Sequence, residues 1–366
     1  MNRFTILMVL LLASLSALSQ DYKDQSALDA LLKIPSRVEV LDLSEFKLTE
    51  LPESIGKCYR LKKLIIGKHC SFEQLPRSIW SLPLLEELVI IRPIVPDILV
   101  PEINQLSKLK KLSVNGEIPA HIMELTQLEH LKHKGPIPQN IGNLTKLKNY
   151  IFESGKLKEL PSSFWNLTNL EALSLNSAFG ITLPKELVNL KKLKTLDLSF
   201  TQLSEIPTFL FDLTNLEKLV LSYNQIEFVP SDISKLKKLK RLEISATNIT
   251  SLPESIGELE NLELLELANS LQLKEVPESI GQLKNLRSLY IFDTLVERLP
   301  ESLGNLNKLK RLFVYAIKDD TLPTSVLKLK QLRHLVISNQ QFENLNKPME
   351  DLGQSLPNCL IELNNY

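Results

Sequence analysis

The chain repeats one pattern at a nearly fixed period of 23 residues. Leucine opens a new unit every 23 residues from Leu147 to Leu262, and later units follow at steps of 24, 23 and 23. Self-similarity at such a period predicts stacked copies of one small structural unit. The unit starts are Val38, Leu61, Leu85, Leu109, Leu128, Leu147, Leu170, Leu193, Leu216, Leu239, Leu262, Leu286, Leu309 and Leu332.

Each unit combines two periodicities. In Leu242-Glu243-Ile244 apolar and polar residues alternate, which is the period of a β-strand. The following segment LPESIGELENL spaces its apolar residues by three and four, and Pro253 suits the first position of a short helical turn. A strand and one helical turn cannot bury their apolar side alone, so neighbouring units must stack around a shared core.

This pattern resembles the leucine-rich-repeat family, in its 23-residue class LxxLxLxxNxLxxLPxxIxxLxx, over roughly residues 36 to 363. The resemblance implies an α/β fold, a curved solenoid with a parallel β-sheet on the concave face and short helices or 3₁₀ turns on the convex face. The repeated leucines would then be core residues. Asn224 matches the family's usual asparagine, whereas five equivalent positions hold other residues. These are Thr201, Thr247, Ser270, Thr294 and Ile317.

The pattern divides the chain into four parts. Residues 1–19 have a basic start at Arg3, an apolar stretch, and small residues at Ala17 and Ser19, which is typical of a cleaved signal peptide. Residues 20–37 are expected to form an N-terminal capping helix, with Ala27, Leu28, Leu31 and Leu32 buried. Residues 38–355 would form about 14 units, and residues 356–366 a closing strand and cap with Cys359 in a leucine position.

Export follows from the signal peptide as an expectation, and composition narrows the partners. The apolar stretch is short for a membrane span, so no span is expected after cleavage, with an uncleaved anchor as the alternative. The chain carries 43 basic and 43 acidic side chains, which gives no electrostatic case for binding nucleic acid or an anionic membrane. Charge runs such as Lys235–Lys238 recur at repeat positions and are interpreted as solvated edges.

The three cysteines do not form a disulfide framework. Cys58 and Cys359 lie at opposite ends of the repeat array, while Cys70 is near enough to Cys58 in sequence to allow a bridge. The odd count and the core-like setting of Cys58 favour buried free thiols. Extracellular members of the resembled family in animals have cysteine-rich caps, so their absence suggests a bacterial exported protein.

Two stretches depart from the repeat. Extra residues appear in Ile91–Pro96, and the two units from Leu109 to Leu147 are only 19 residues long. Such changes mark a binding edge or simple drift of the repeat. The short region contains His130 and His133 without a carboxylate or cysteine at ligand spacing, which favours a tolerated polar variant over a metal site. Sequons occur at Asn143, Asn166 and Asn248, two of them in the repeat's own NLT segment.

No catalytic motif is present, so we expect neither an enzyme nor a cofactor. Glycine-rich phosphate loops, GxSxG, HExxH and CxxC are all absent from the sequence. Carboxylates such as Glu254 and Glu278 recur after each proline, where they favour the start of a helical turn.

Outward strand positions are the remaining candidate site. They are small or polar from Leu193 to Leu262, then become aromatic in the next two units. Exposed aromatics serve either strand pairing or ligand binding. The predicted partner-binding residues are Tyr290, Phe292, Arg311, Phe313, Tyr315, His334 and Val336, with Phe200 and Tyr223 as a second, looser group.

The sequence therefore predicts a non-catalytic exported protein that binds a protein partner through its concave face. Carbohydrate binding is one alternative, because aromatic faces also stack on sugars. An intracellular leucine-rich-repeat scaffold is another, if residues 1–19 are not a signal. The partner's identity and the oligomeric state are not encoded in any consensus position.

Overall fold

A computed structural model describes residues 23–94, 96–153, 155–318, 321–345 and 353–364. The expected signal peptide lies outside the described residues. The described chain forms two compact units, one ending at Leu125 and the other beginning at Thr126. None of its helices has the length and apolarity to span a bilayer.

In the part that the structure describes, the first unit contains one α-helix and parallel strands joined by 3₁₀ turns. Helix α1 spans Gln25–Leu31. The strands are β1 (Val40–Leu43), β2 (Lys63–Ile66), β3 (Glu87–Ile94) and β4 (Lys111–Gly116). The 3₁₀ turns are Pro35–Arg37, Glu53–Lys57, Arg77–Ser81, Pro96–Ile98, Pro101–Gln105 and Ala120–Glu124.

The second unit continues the same alternation. Its described strands are β5 (His130–His133), β6 (Asn149–Phe152), β7 (Gly155–Lys156), β8 (Ala172–Ser174), β9 (Ala178–Phe179), β10 (Thr195–Asp197), β11 (Lys218–Val220), β12 (Arg241–Glu243), β13 (Leu264–Glu266), β14 (Ser288–Tyr290), β15 (Arg311–Val314), β16 (His334–Ser338) and β17 (Leu360–Asn364). Its 3₁₀ turns are Ile141–Asn143, Ser162–Asn166, Lys185–Asn189, Thr208–Asp212, Ser231–Lys235, Glu254–Glu258, Glu278–Gln282, Glu301–Asn305 and Thr324–Lys328. Helix α2 spans Asn339–Asn344, and β7 pairs only with β9, outside the main parallel sheet.

Strand register follows the repeat period. Leu242 of β12 lies between Leu219 of β11 and Leu265 of β13 in the parallel ladder, and all three side chains are fully buried. Each such leucine contributes roughly 1.5–3 kcal/mol by burial. The α/β repeat solenoid with a parallel sheet and 3₁₀ turns, predicted from the spacing, is confirmed.

The N-terminal helix is shorter than the 20–37 segment expected to form it. Asp24 caps it by accepting a hydrogen bond from the amide of Ala27 at 3.2 Å. Leu28 and Leu32 are buried, whereas Ala27 and Leu31 remain partly exposed. Pro35 begins a separate 3₁₀ turn, because its ring and missing N–H oppose an α-helix at that position.

The residue at the family's usual asparagine position forms different numbers of hydrogen bonds to the turn backbone in different units. The carboxamide oxygen of Asn224 accepts from the amides of Thr201 and Leu203 at 3.1 and 3.0 Å, and its nitrogen donates to the carbonyls of Leu198 and Leu221 at 2.8 Å each. Thr247 occupies the same position one repeat later and donates to its own turn carbonyl at 3.1 Å. A hydroxyl thus covers less of the turn backbone than the amide does.

The insertion at Ile91–Pro96 extends a strand. β3 runs on to Ile94 through an irregularity between Ile90 and Pro93, and Ile94 pairs with Gly116 of β4. Arg92 packs over the ring of Phe72, 5.3 Å from its centroid. Val95 lies outside the described residues.

Aromatic rings fill the core where the second short unit packs against the unit that follows it. His133 is fully buried, and its Nε2 lies 2.8 Å from the hydroxyl of Tyr150. Its ring meets those of Tyr150 and Phe152 edge-on at 5.6 and 6.0 Å. Burial lowers the pKa of His133 to about 4, so the imidazole is neutral at pH 7. It is a core residue in this structure.

The cysteines are free thiols. Cys58 and Cys70 are both buried without a disulfide between them, and Cys359 is also free. Burial raises the pKa of the Cys58 and Cys70 thiols, which makes them poor nucleophiles.

The predicted register of the closing strand is wrong by two residues. β17 pairs Leu335 with Ile361 and Ile337 with Leu363, so Ile361 takes the leucine position assigned to Cys359. The connection before it contains helix α2 and is therefore longer than a standard unit. Side chains alternate between the two faces of a strand. A shift of two residues therefore leaves each side chain of β17 on its predicted face but changes its partner on β16.

Candidate functional site

Four aromatic side chains occupy the outward positions predicted for them. Tyr290 and Phe313 are register partners on β14 and β15, with ring centroids 5.0 Å apart and planes tilted by 44°. Phe292 and Tyr315, two residues further along each chain, stack at 4.8 Å with planes 7° apart. We call these four residues the aromatic cluster. All are partly exposed, so the cluster presents ring surface to solvent.

Polar groups border the cluster at the start of the same strands. Nε of Arg311 donates to Oγ of Ser288 at 2.9 Å, which fixes the guanidinium beside β14. The imidazole of His334 meets Phe313 edge-on at 4.8 Å. Arg311 and His334 are thus both adjacent to the aromatic cluster, as predicted, and Arg311 gives it a cationic border.

Val336 does not belong to the exposed site. It lies between Phe313 and Glu362 in the strand register and is only 5% exposed. Larger side chains on both neighbouring strands cover a short β-branched one. It is a buried neighbour of Phe313 in the strand register.

The closing strand adds residues that sequence reasoning missed. Oε1 of Glu362 lies 3.1 Å from Nε2 of His334, at ion-pair distance but without hydrogen-bond alignment. Leu360 pairs with His334 in register and is 58% exposed. The alternation Leu360-Ile361-Glu362 places both on the outward face, but only the register of β17 shows that they lie opposite His334 and Val336.

Phe200 and Tyr223 form a compact pair. Their rings stack at 4.1 Å with planes 8° apart, closer than either pair in the aromatic cluster. The expectation of a looser group is therefore wrong. Both residues have left-handed backbone conformations, with φ of 57° and 60°. We call them the stacked pair.

The strands between the two aromatic groups offer no comparable surface. On β12, Glu243 is held by Lys218 at 3.0 Å and Arg241 at 3.2 Å. The next outward residues after β12 and β13, Ser245 and Ala268, are 5% and 1% exposed. The stacked pair and the aromatic cluster are therefore separate sites on the second unit.

Within the described residues, no three His, Cys, Asp or Glu side chains converge as metal ligands. The site instead consists of ring faces, an arginine and a histidine on a sheet. The fold and site together define a repeat solenoid with an aromatic sheet surface.

Comparison with known proteins gives the family. A leucine-rich repeat region model matches residues 227–365, and a leucine rich repeat model matches residues 191–249. Residues 191–365 therefore consist of leucine-rich repeats. No curated protein sequence matches it significantly.

Solved structures show the same fold. A leucine-rich-repeat protein from Leptospira interrogans is 29% identical, with a TM-score of 0.64 over 93% of this chain and 100% of its own. An internalin from Listeria monocytogenes is 18% identical, with a TM-score of 0.63 over 92% of this chain and 89% of its own. The plant peptide hormone receptor RGFR1, in complex with RGF2, is 24% identical, with a TM-score of 0.55 over 84% of this chain and 61% of its own.

Proposed function

We propose that this chain is an exported, non-catalytic protein that binds another protein through the aromatic cluster. The observation that carries the proposal is the packing of Tyr290, Phe292, Phe313 and Tyr315 as partly exposed, paired rings on one sheet face. Contiguous exposed apolar surface on a folded protein usually marks an interaction site, and tyrosine is enriched in binding hot spots.

A purely structural role explains the cluster less well. The same ladder positions on β12 and β13 hold Glu243 and Glu266, and those strands pair in the same register. Aromatic rings are therefore not required for strand pairing in this sheet. Arg311 lies beside the rings, and arginine, like tyrosine, is enriched among the residues that contribute most to binding.

The fold agrees with this use. The structurally similar plant receptor was solved in complex with RGF2. Repeat solenoids present extended sheet surfaces whose outward residues vary without disturbing the core. Binding through such a surface requires no reaction centre.

Binding is tested by selecting partners for the full mature chain from a displayed library of protein fragments. Clones selected on the native chain are then measured against a variant with Tyr290→Ser, Phe292→Ser, Phe313→Ser and Tyr315→Ser. We expect affinity to fall at least about a hundredfold, because loss of each hot-spot ring costs roughly 1 kcal/mol or more.

A matched control carries Glu243→Ser and Glu266→Ser on the neighbouring strands. It should retain the affinity of the native chain. Equal binding by the native chain and the aromatic variant would reject the site. Binding to a glycan array, with no protein fragment selected from the library, would favour the carbohydrate alternative.

Export is tested separately. N-terminal sequencing of the protein from its native source should begin at Gln20 or close to it. An intact Met1 would favour an intracellular scaffold.

A further inference from the structure

Charged residues of opposite sign alternate along one backbone ladder of the second unit. Each directly follows the opening leucine of its repeat, as Lys240 follows Leu239. The amide of each residue donates to the carbonyl of its counterpart one repeat earlier, for example from Lys240 to Glu217 at 2.8 Å. We call this series the charge ladder. In chain order it begins with Glu129, Lys148, Glu171, Lys194, Glu217, Lys240, Glu263 and Arg287.

Alternation gives each of these cations a carboxylate partner. Nζ of Lys194 lies 2.7 Å from Glu171, and Nζ of Lys240 lies 2.8 Å from Glu217. Hydrogen bonding with Glu171 raises the pKa of Lys194, and the charge of Glu217 on its other side raises it further. Neighbouring opposite charges attract, whereas like charges in the same positions would repel. The remaining pairs are Lys148 with Glu129 at 2.6 Å and Arg287 with Glu263 at 3.5 Å.

The alternation stops at the strands of the aromatic cluster. Lys310 follows Arg287 on the charge ladder, and Arg333 follows Lys310, so three cations occupy successive positions. Every earlier cation on this ladder has a carboxylate partner, but among the described residues none lies at ion-pair distance from Lys310 or Arg333. Both are exposed, and the neighbouring Arg311 is bonded to a serine hydroxyl. We call Lys310, Arg311 and Arg333 the cationic strip.

The cationic strip borders the aromatic cluster. Lys310 immediately precedes β15, and Phe313 lies three residues further on, about 10 Å along an extended strand. Arg333 occupies the same place before β16. Carboxylates lie on the two outer strands, as Glu266 on β13 and Glu362 on β17. Unpaired positive charge is thus concentrated where β15 and β16 begin, next to the exposed rings.

We infer that the aromatic cluster and the cationic strip together bind an acidic protein segment. This inference rests on the proposed function and names the chemistry of the partner. Apolar side chains of the segment pack on the rings, while its aspartate or glutamate carboxylates bond the cations that lack a partner. Charge-assisted hydrogen bonds to arginine and lysine give orientation, and complementary charge favours this partner over neutral ones.

A long polyanion fits this surface less well. Successive positions on the charge ladder are about 4.8 Å apart, so Lys310 and Arg333 span a single step. The next position towards the amino end is Arg287, which is already paired, and the one after it is Glu263. A nucleic acid or acidic polysaccharide lying along the sheet would therefore meet carboxylates at alternate positions. A protein segment with a few carboxylates matches the length of the strip.

The first measurement is selection of a displayed library of random peptides on the full chain. Clones that also bind the variant with all four rings of the aromatic cluster changed to serine are discarded. We expect the remaining clones to be enriched in aspartate and glutamate beside apolar residues. Neutral or basic ring-dependent clones would overturn the inference and leave the proposed function standing. Recovery of no ring-dependent clone would reject both.

The decisive variant is Lys310→Glu, which restores alternation by placing a carboxylate between Arg287 and Arg333. Its melting temperature should therefore equal or exceed that of the native chain. Its affinity for the selected acidic peptides should nevertheless fall on the order of tenfold or more. The matched control, Lys146→Glu, makes the same change of charge at an exposed position in an earlier repeat. It should bind these peptides as the native chain does.

Ionic strength separates a charge effect from a change in packing. Added salt should weaken peptide binding by the native chain and have little effect on the residual binding by Lys310→Glu. Equal affinities of the native chain and Lys310→Glu would overturn the inference. Tighter binding of a single-stranded oligothymidylate than of any selected peptide would also overturn it, because the strip would then serve a polyanion.

Discussion

Nε2 of His133 accepts a hydrogen bond from the hydroxyl of Tyr150, 2.8 Å away in the core of the shortened region. Nδ1 lies 2.9 Å from the carbonyl oxygen of Lys134, which can only accept, so Nδ1 carries the proton. The pair is satisfied only while the imidazole is neutral. Two polar residues are thereby accommodated at core positions where other units have apolar ones.

This arrangement makes stability depend on pH. Burial lowers the pKa of His133 to about 4, whereas the unfolded chain titrates near the ordinary value of 6.5. The unfolded state therefore binds an extra proton between these values. The histidine's contribution is fully present above pH 6.5 and is lost as pH falls towards 4, by about 3 kcal/mol.

Urea denaturation at pH 7 and pH 4.5 measures this loss. Acidic groups also titrate in this range, so a control variant without the histidine is needed. We use the double variant His133→Phe/Tyr150→Phe, in which residue 133 matches its register partner Phe152. The double variant should lose less stability between the two pH values. An equal loss would show that His133 does not carry the dependence.

Phe200 should prove locally strained. Asparagine tolerates its φ of 57°, whereas a β-branched residue does not. We expect Phe200→Asn to change the free energy of unfolding by less than about 1 kcal/mol, because relief of strain offsets the lost stack. Phe200→Val should destabilise by about 1–3 kcal/mol. Equal effects in denaturant titrations would contradict the assignment of strain.

Asn224 should matter more than its counterparts. Asn224→Ala leaves buried amides and carbonyls of two turns without partners, so we expect a loss of about 3 kcal/mol or more in chemical unfolding. Thr247→Ala removes one hydrogen bond to a turn carbonyl and a 3.3 Å contact with Oγ of Ser270, and should cost about 1 kcal/mol. Similar losses of stability in the two variants would mean that the hydrogen bonds of Asn224 do not contribute more than those of Thr247.

Gly281 interlocks with the next repeat. A Cβ there would lie 2.5 Å from the carbonyl oxygen of Ser302 and 2.6 Å from its Cβ. Gly281→Ala should therefore destabilise by about 1–3 kcal/mol through overpacking. Gln282→Ala, at an exposed position in the same turn, should stay within about 0.5 kcal/mol. Thermal unfolding of the two variants measures the difference.

Much of the candidate site could be read from alternation along the strands. The repeat spacing predicts that Tyr290 and Phe313 are neighbours, because they occupy the same position in successive units and the strands of those units pair in parallel. The burial of Val336 could not be foreseen, since it depends on the sizes of Phe313 and Glu362 on either side. Glu362 itself was missed because helix α2 lengthens the final connection, and a repeat count cannot measure an irregular connection.

The sequence by itself determined the repeat, the parallel sheet and the burial of the leucines, because a fixed period forces equivalent residues into equivalent positions. Tertiary structure decided how departures from that period are accommodated. The stack of Phe200 on Tyr223, the bond between His133 and Tyr150, and the fit of Ser302 against Gly281 all join residues of different repeats. Their geometry depends on side-chain shape across the stacking direction, which a pattern along the chain does not encode.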